Sequence, residues 1–503
     1  MAVDDKEIFV IRRDMSGGQN NRQHGSNISD NQATVLYNTD IGIPYQTSKR
    51  KGLTLIEDLS NNAGTGIFGF EPDGSTNQLI VTEGTNLKTW PGTGTFTTRK
   101  SDFTTNLQTT IIKAGESGEN DVILVSNGTD NVFRMNQSFT FQDLGDTNTS
   151  PPKTKVMTYF RNRVFTLKSN LVSWSDAFPA DYSTAFDRST NAYRVPVGTE
   201  RAILGIRDSG LVIIGNDQIW AINPSATPAA TDKPEKILDI GCAAGGTVCQ
   251  VGDDIYFLAY DGVRGVFRTQ QDKLQQGASY PLSYVIKEEI DSINWSYISK
   301  SCAVYFDNKY LISIATGSST YNNEVWVYYP ASKGWVIHTG WNISGWSKMK
   351  VNGEERLYAV DSTDGKVYRA LFGYDDNGTA INYQIESRKE DLGQPLITKS
   401  GGVLKIKALS SGSYDLSVYI SKDDQSYQLL GTMSLAGTAP TLPVVLPFTL
   451  ADTNILSESF HLDSIGEWNQ VRVKIQHNDL NGSDEIIIYS IEIITYQNEF
   501  QSE

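Results

Sequence analysis

Cysteine and histidine are scarce in this chain of 503 residues, with three and four copies, and each shortage removes a class of chemistry. Cys242, Cys249 and Cys302 are too few, and odd in number, for a disulfide framework, and read as buried free thiols. His24, His338, His461 and His477 are scattered and form no paired motif of the zinc-hydrolase kind. Acidic turns at EPDGSTN from Glu71, YDDNGT from Tyr374 and SKDDQS from Ser421 lack the closing Glu of an EF-hand loop, so they read as hairpin tips. Phosphate-cradling glycine loops of the Walker and dinucleotide types are missing, and the expectation is a protein without metal or cofactor. No run reaches the roughly 20 apolar residues of a membrane helix. The opening MAVDDKEIFVIRRD has acidic residues where a secretory signal has a basic start, so synthesis in a cytoplasm and no membrane insertion are expected. Basic charge is also short: 43 Lys and Arg stand against 58 Asp and Glu, a net charge of −15 that disfavours wrapping nucleic acid. The compact basic cluster is SKRKG, Ser48 to Gly52, whose Lys49, Arg50 and Lys51 read either as a solvated loop or as a docking contact.

Turn formers and strand aromatics are plentiful: 43 Gly, 24 Tyr, 19 Phe and 9 Trp. In DDIYFLAYDGVRGVF, from Asp253, an apolar run too short for a helix meets an Asp-Gly turn and resumes as Val263, Val266 and Phe267, which spells a β-hairpin. The same phrase starts at Leu79, Asp121, Arg163, Leu211, Tyr310 and Arg356, at intervals of 42 to 57 residues. Strands repeating at that period are the mark of a β-propeller, in which each small sheet buries faces against its neighbours. EIFVIRR, from Glu7 to Arg13, is a candidate for the strand that closes the ring. The best helix candidate is PLSYVIKEEIDSI, Pro281 to Ile293, placed between two blades.

The phrase stops near DDNGT, Asp375 to Thr379. Beyond it, VLKIKAL from Val403, YDLSVYISKD from Tyr414, QLLGTMSL from Gln428, WNQVRVKIQHN from Trp468 and EIIIYSIEIITYQ from Glu485 predict a β-sandwich. The proline-rich APTLPVVLPFTL, Ala439 to Leu450, is expected at an edge or in a crossing loop. The fold class is therefore all-β: a propeller of about six to eight blades over 54–379, a C-terminal β-sandwich over 380–503, and a polar extended arm over 1–53. That arm, rich in Asn, Gln and Ser, reads as a segment that orders on docking or as a plain strand on the propeller.

Several segments, taken in order, carry a family resemblance. MSGGQNNRQHGSNISDNQATVLYNTDIGIPYQTSKRKGL from Met15, RNRVFTLKSNLVSWSDAFPADY from Arg161 and CQVGDDIYFLAYDGVRGV from Cys249 are followed by PLSYVIKEEI and NEVWVYYPASKGWVIHTGW, from Asn323. ESRKEDLGQPLITKSGGVLKI from Glu386 and YISKDDQSYQLLG then complete the series. Together they resemble the tail hub or nozzle proteins of short-tailed bacteriophages. The resemblance spans nearly the whole chain and implies a virion structural protein of the tail. It implies a ring, of six copies, around the DNA exit channel, with portal or adaptor and tail fibre or needle proteins as partners. Genomic DNA would pass without sequence-specific binding. No catalytic residues carry over.

Two other functions stay open. A glycan- or receptor-binding module would use aromatics such as Trp341 and Trp346 to stack on sugars, with core packing as the competing role. A propeller hydrolase would need converging carboxylates. STDGKVY, Ser362 to Tyr368, is only a weak likeness of the sialidase Asp-box turn, lacking its second glycine spacing and terminal Trp.

Overall fold

The computed structural model describes residues 8–59, 62–206, 210–225, 227–229, 231–277, 279–410, 414–435, 455–477 and 485–497. The protein is a β-propeller joined to a β-sandwich. Each of the seven repeated phrases supplies a hairpin of one sheet, the central pair in six of them, giving seven blades among the described residues. Blade 1 has strands Gly64–Phe70, Gln78–Glu83, Asn86–Trp90 and Thr97–Lys100. Blades 2, 3 and 4 repeat that meander from Thr110 to Asp143, Met157 to Arg194 and Glu200 to Leu238. Blade 6 does so from Cys302 to Thr339. An apolar cluster fills every gap between neighbours, for instance Ile80, Ile123 and Met135 between blades 1 and 2, and Leu167, Trp174 and Ile213 between blades 3 and 4. Seven such layers close the circle, the last by Val81, Met349 and Val360 between blades 7 and 1. At that closure Gly69 is required, because a Cβ there would lie 1.9 Å from the Lys348 carbonyl oxygen of blade 7.

Blade 5 departs from the pattern. Its strands are Cys249–Val251, Asp254–Ala259 and Gly262–Gly265, and the chain then turns into helix α1 (Val266–Gln276) instead of extending the hairpin through Val266 and Phe267. The cause is Asp254. Its carboxylate accepts the Phe267 N–H at 2.9 Å and the Arg268 N–H at 3.2 Å, satisfying donors of the first helical turn from a neighbouring strand. The expected helix over Pro281–Ile293 contracts to α2 (Lys287–Ser292), where Ile286 starts the turn and Ile293 ends it. Both helices occupy the widest interval between hairpins.

Ring closure comes from Leu53–Asp58, which pairs antiparallel with Lys366–Ala370 as the fourth strand of blade 7. EIFVIRR does not close the propeller: Ile8–Arg13 pairs with Ile486–Gln497 in the sandwich. Its Arg12 meets Glu492 across that pair at 2.8 Å.

The sandwich is built from both ends of the chain. One sheet runs Ala33–Tyr37, Tyr383–Ser387, Val471–His477, Tyr414–Lys422 and Gln428–Leu435. The other runs Thr39–Asp40, Thr47–Lys49, Ile486–Gln497, Lys399–Ser410 and Leu456–His461. Alternating residues such as Leu404, Ile406, Leu416, Val418, Val473 and Ile475 face inward, as period-two patterning requires. APTLPVVLPFTL, Ala439 to Leu450, lies outside the described residues. The first sheet does not stop at the sandwich: Ala33–Tyr37 continues it into blade 6, parallel to Gly334–Thr339, through the pair Tyr37 and Ile337. One apolar core follows, from Leu404 and Trp468 through Leu36 and Trp341 to Leu357 of blade 7.

The described part of the arm, from Ile8 to Leu53, is thus neither free nor laid along the propeller alone. Its strands before Leu53 are ladder members of the sandwich, and Gln19, Asn21 and Asn38 find side-chain partners within the chain. Limited proteolysis of the isolated protein is expected to spare the bonds within Ala33–Tyr37, Thr47–Lys49 and Leu53–Asp58 under conditions that cut exposed loops such as Gly42 to Tyr45. Rapid cleavage within those strands, read by mass spectrometry, would contradict the pairing.

Candidate functional site

The basic cluster read from the sequence resolves into three different environments. Lys49 and Arg50 are buried, at 2% and 1% exposure, and only Lys51 faces solvent. A docking contact through Lys49 and Arg50 is therefore corrected: both are spent inside the chain. The Lys49 ammonium lies 5.9 Å from the Tyr414 ring centre. Arg50 sits where propeller and sandwich meet, and all five of its N–H donors have acceptors. Nε donates to Asn38 Oδ1 at 2.8 Å. One terminal nitrogen donates to the Lys51 carbonyl and Asp376 Oδ1, the other to the Thr339 carbonyl and Asp376 Oδ2 at 2.6 Å. The planar group also lies 4.3 Å from the Trp341 ring centre.

Asn38 is the second member of this joint. It takes a positive φ of 57°, a conformation asparagine tolerates better than most residues, and so swings the chain from one sandwich sheet to the other. Its amide donates to Thr339 Oγ1 and the Asn382 carbonyl, at 2.8 and 2.6 Å, while its N–H bonds the Ile337 carbonyl of blade 6. His338 completes the cluster, with Nε2 donating to the Thr39 carbonyl at 3.0 Å and its ring edge-on to Trp341. Burial, followed by the nearby Arg50 charge, pushes the imidazole pKa down to about 3, so the ring is neutral.

The same segment grips the propeller elsewhere. Gln19 and Asn21 donate to the two oxygens of Glu289 on α2, at 2.5 and 2.7 Å. Lys309 of blade 6 pairs with Asp40 at 2.6 Å. On the sandwich side Arg13 donates from Nε and Nη2 to the two carboxylate oxygens of Glu390, and Arg388 reaches Asp30 at 2.7 Å.

Trp341 and Trp346 are not exposed sugar platforms. They are 0% and 8% exposed, and their indole N–H groups donate to Asp376 and Ser313. The acidic turns brace their surroundings: Asp376 anchors Arg50, Glu71 accepts the Lys350 N–H, and Asp423 accepts the N–H groups of Asn469 and Gln470. In STDGKVY the preceding Asp361 folds the turn by accepting from Thr363. Among the described residues no three His, Cys, Asp or Glu side chains are grouped to hold a metal. The cysteines are free, and burial raises Cys242 and Cys249 to about 11 and Cys302 to about 12, so the thiols are protonated.

Two cavities stand out. The axial channel of the propeller holds about 400 Å³ and is lined from all seven blades, among them by Ile67, Thr110, Met157, Arg201, Cys302 and Trp346. A recess of about 760 Å³ lies between blade 4 and α1, walled by Ile206, Leu211, Ala221, Ile237 and Phe267. The sequence signalled neither, because the channel is lined by the innermost strands, which lie outside the hairpin phrases.

No family model matches the chain, and no curated protein matches it. Among solved structures, BBS1N in complex with ARL6DN is similar at a TM-score of 0.38 and 13% identity, over 64% of this chain and 97% of that one. The WD40 β-propeller domain of Doa1 is similar at 0.39 and 7% identity, also over 64% and 97%.

Removing the Arg50 guanidinium leaves Asp376 with the Trp341 indole N–H but no cation, and takes a donor from the carbonyls of Lys51 and Thr339. Arg50→Met is expected to destabilise the protein by about 3–5 kcal/mol in urea unfolding, with Arg50→Lys recovering little because an ammonium cannot reproduce the planar fork. A loss under about 1 kcal/mol would show that the joint does not depend on it. His338 makes a second test. Its folded pKa of about 3 lies below the ordinary 6.5, so below 6.5 the unfolded chain takes up a proton that the native state refuses. Its contribution is intact above pH 6.5 and is lost toward pH 3, at about 1.4 kcal/mol per pH unit. His338→Gln is expected to flatten that part of the stability profile, and an unchanged slope would remove His338 as its source.

Proposed function

We infer that the protein is a structural subunit of a short-tailed bacteriophage tail, a hub or nozzle component acting without catalysis. In this reading six copies form a ring around the DNA exit channel, between the portal or adaptor and the tail fibre or needle proteins. The observation that carries it is the joint. A sheet and an apolar core shared by propeller and sandwich make one stiff block, suited to transmitting position between partners. The ordered sequence resemblance points the same way. A head-to-tail contact between such blocks closes when the rotation between copies divides the circle.

The DNA path would run along the ring axis, between copies. A channel of about 400 Å³ within each propeller has the volume of a small-ligand pocket, whereas the major groove of a duplex alone is about 12 Å wide. The net charge of −15 favours passage over adhesion.

One observation favours a second reading, a receptor- or glycan-binding surface. Tyr260 and Trp295 stack at 5.7 Å and are 55% and 37% exposed, a platform on which a sugar ring could lie.

Gold-labelled antibody against the sandwich, applied to purified virions and viewed by electron microscopy, is expected to mark a single vertex. Absence of label from tail and fibres, with an antibody shown to bind the native protein, would sink the tail assignment. Saturable binding on a glycan array, lost in Trp295→Ala, would then favour the second reading.

A further inference from the structure

The axial channel contains an arrangement that neither the fold nor a tail role requires. In the first strand of blade 4 the ladder pairs Glu200 with Gly215 and Ala202 with Ile214, so Arg201 is an extra residue, the bulge of that strand. A bulge breaks the side-chain alternation and re-aims the residue it carries. Here it falls on the inner edge of the propeller, and Arg201 lines the channel. The bulged backbone is accommodated by the next blade: a Cβ on Gly245 would lie 2.0 Å from the Arg201 carbonyl oxygen.

Lys155, just ahead of the first strand of blade 3, lines the same cavity. Its ammonium pKa is held below the ordinary value by burial and then by the Arg201 charge. Two cations therefore share a confined volume and repel one another. Among the described residues neither has a carboxylate in ion-pair range, and Arg201 Nε is buried with no hydrogen-bond partner. Elsewhere in the chain arginines are matched to carboxylates: Arg50 has Asp376, Arg134 has Glu116 and Arg13 has Glu390. Glu200 also borders the cavity, but one of its carboxylate oxygens accepts the Asn170 N–H at 3.0 Å.

We propose that the axial channel is a binding site for a small oxyanion, a phosphate or carboxylate group held between Arg201 and Lys155. Guanidinium presents paired N–H donors that match either group, and Lys adds a mobile point charge. The volume, about 400 Å³, admits a small molecule rather than a polymer. The site is independent of the tail assignment, since it lies within one chain.

The test is isothermal calorimetry of the full-length protein titrated with inorganic pyrophosphate at constant ionic strength. One saturable site per chain is expected. Lys155→Gln and Arg201→Gln, each confirmed folded by circular dichroism, are expected to weaken it by about tenfold or more, the share of a charge-assisted hydrogen bond. Lys155 is exposed to the channel solvent, so its variant remains informative if Arg201→Gln fails to fold. Citrate in place of pyrophosphate separates the sources: binding of both assigns a general oxyanion site, and binding of pyrophosphate alone assigns phosphate. No saturable heat with either probe, or equal binding by a folded Lys155→Gln variant, overturns the proposal.

Discussion

A guanidinium buried with all five donors satisfied holds this molecule together at its most composite point. Arg50 bonds the side chain of Asn38 from the N-terminal segment, a carbonyl of blade 6 and the carboxylate of Asp376 after blade 7. Burying such a charge is costly unless every donor finds an acceptor, and that condition makes the arrangement specific. Small shifts between propeller and sandwich would break several bonds at once. Trp341 covers one face of the group, and the neutral His338 packs against that same indole.

The hairpins of the propeller were legible because their information is local. An apolar run, a turn of Asp, Asn or Gly and a second run lie within some fifteen residues, and six of the seven proved to be the central strands of blades, while the one at Asp253 ends its sheet and runs into a helix. The outermost strands were not legible. Thr97–Lys100 is mostly exposed, and Ala192–Arg194 is three residues long, so neither carries a hydrophobic pattern. Helix α1 was missed for a different reason: its first-turn donors are satisfied by Asp254, on a strand that a search for local caps does not reach.

The joint was the least legible part. Lys49 and Arg50 read as solvated because basic runs usually are, yet the partner that buries Arg50 lies 326 residues further on. Asn-rich composition suggested a segment awaiting a partner, and the partner is this chain: Gln19, Asn21 and Asn38 direct their amides at Glu289, Thr339 and Asn382. Period-two patterning did find the sandwich strands after Val403, while its first sheet needs Ala33–Tyr37, far outside that domain in sequence. The channel cations were hidden likewise, since a bulge is a property of two strands in register and not of either alone.

The pairing of Ile8–Arg13 with Ile486–Gln497 sets the order of events during translation. Ile8–Arg13 is made long before Ile486–Gln497, its ladder partner, whereas Thr39–Asp40 finds Thr47–Lys49 close by. Blades 1 to 6 can assemble from neighbouring sequence as they appear, but blade 7 must recruit Leu53–Asp58 from far upstream, and the second sandwich sheet cannot be completed before Ile486–Gln497 is made. Contacts of such sequence separation are slow to form and leave sheet edges open meanwhile. Ladders that join strands so far apart in sequence thus place completion of the sandwich after the local assembly of blades 1 to 6.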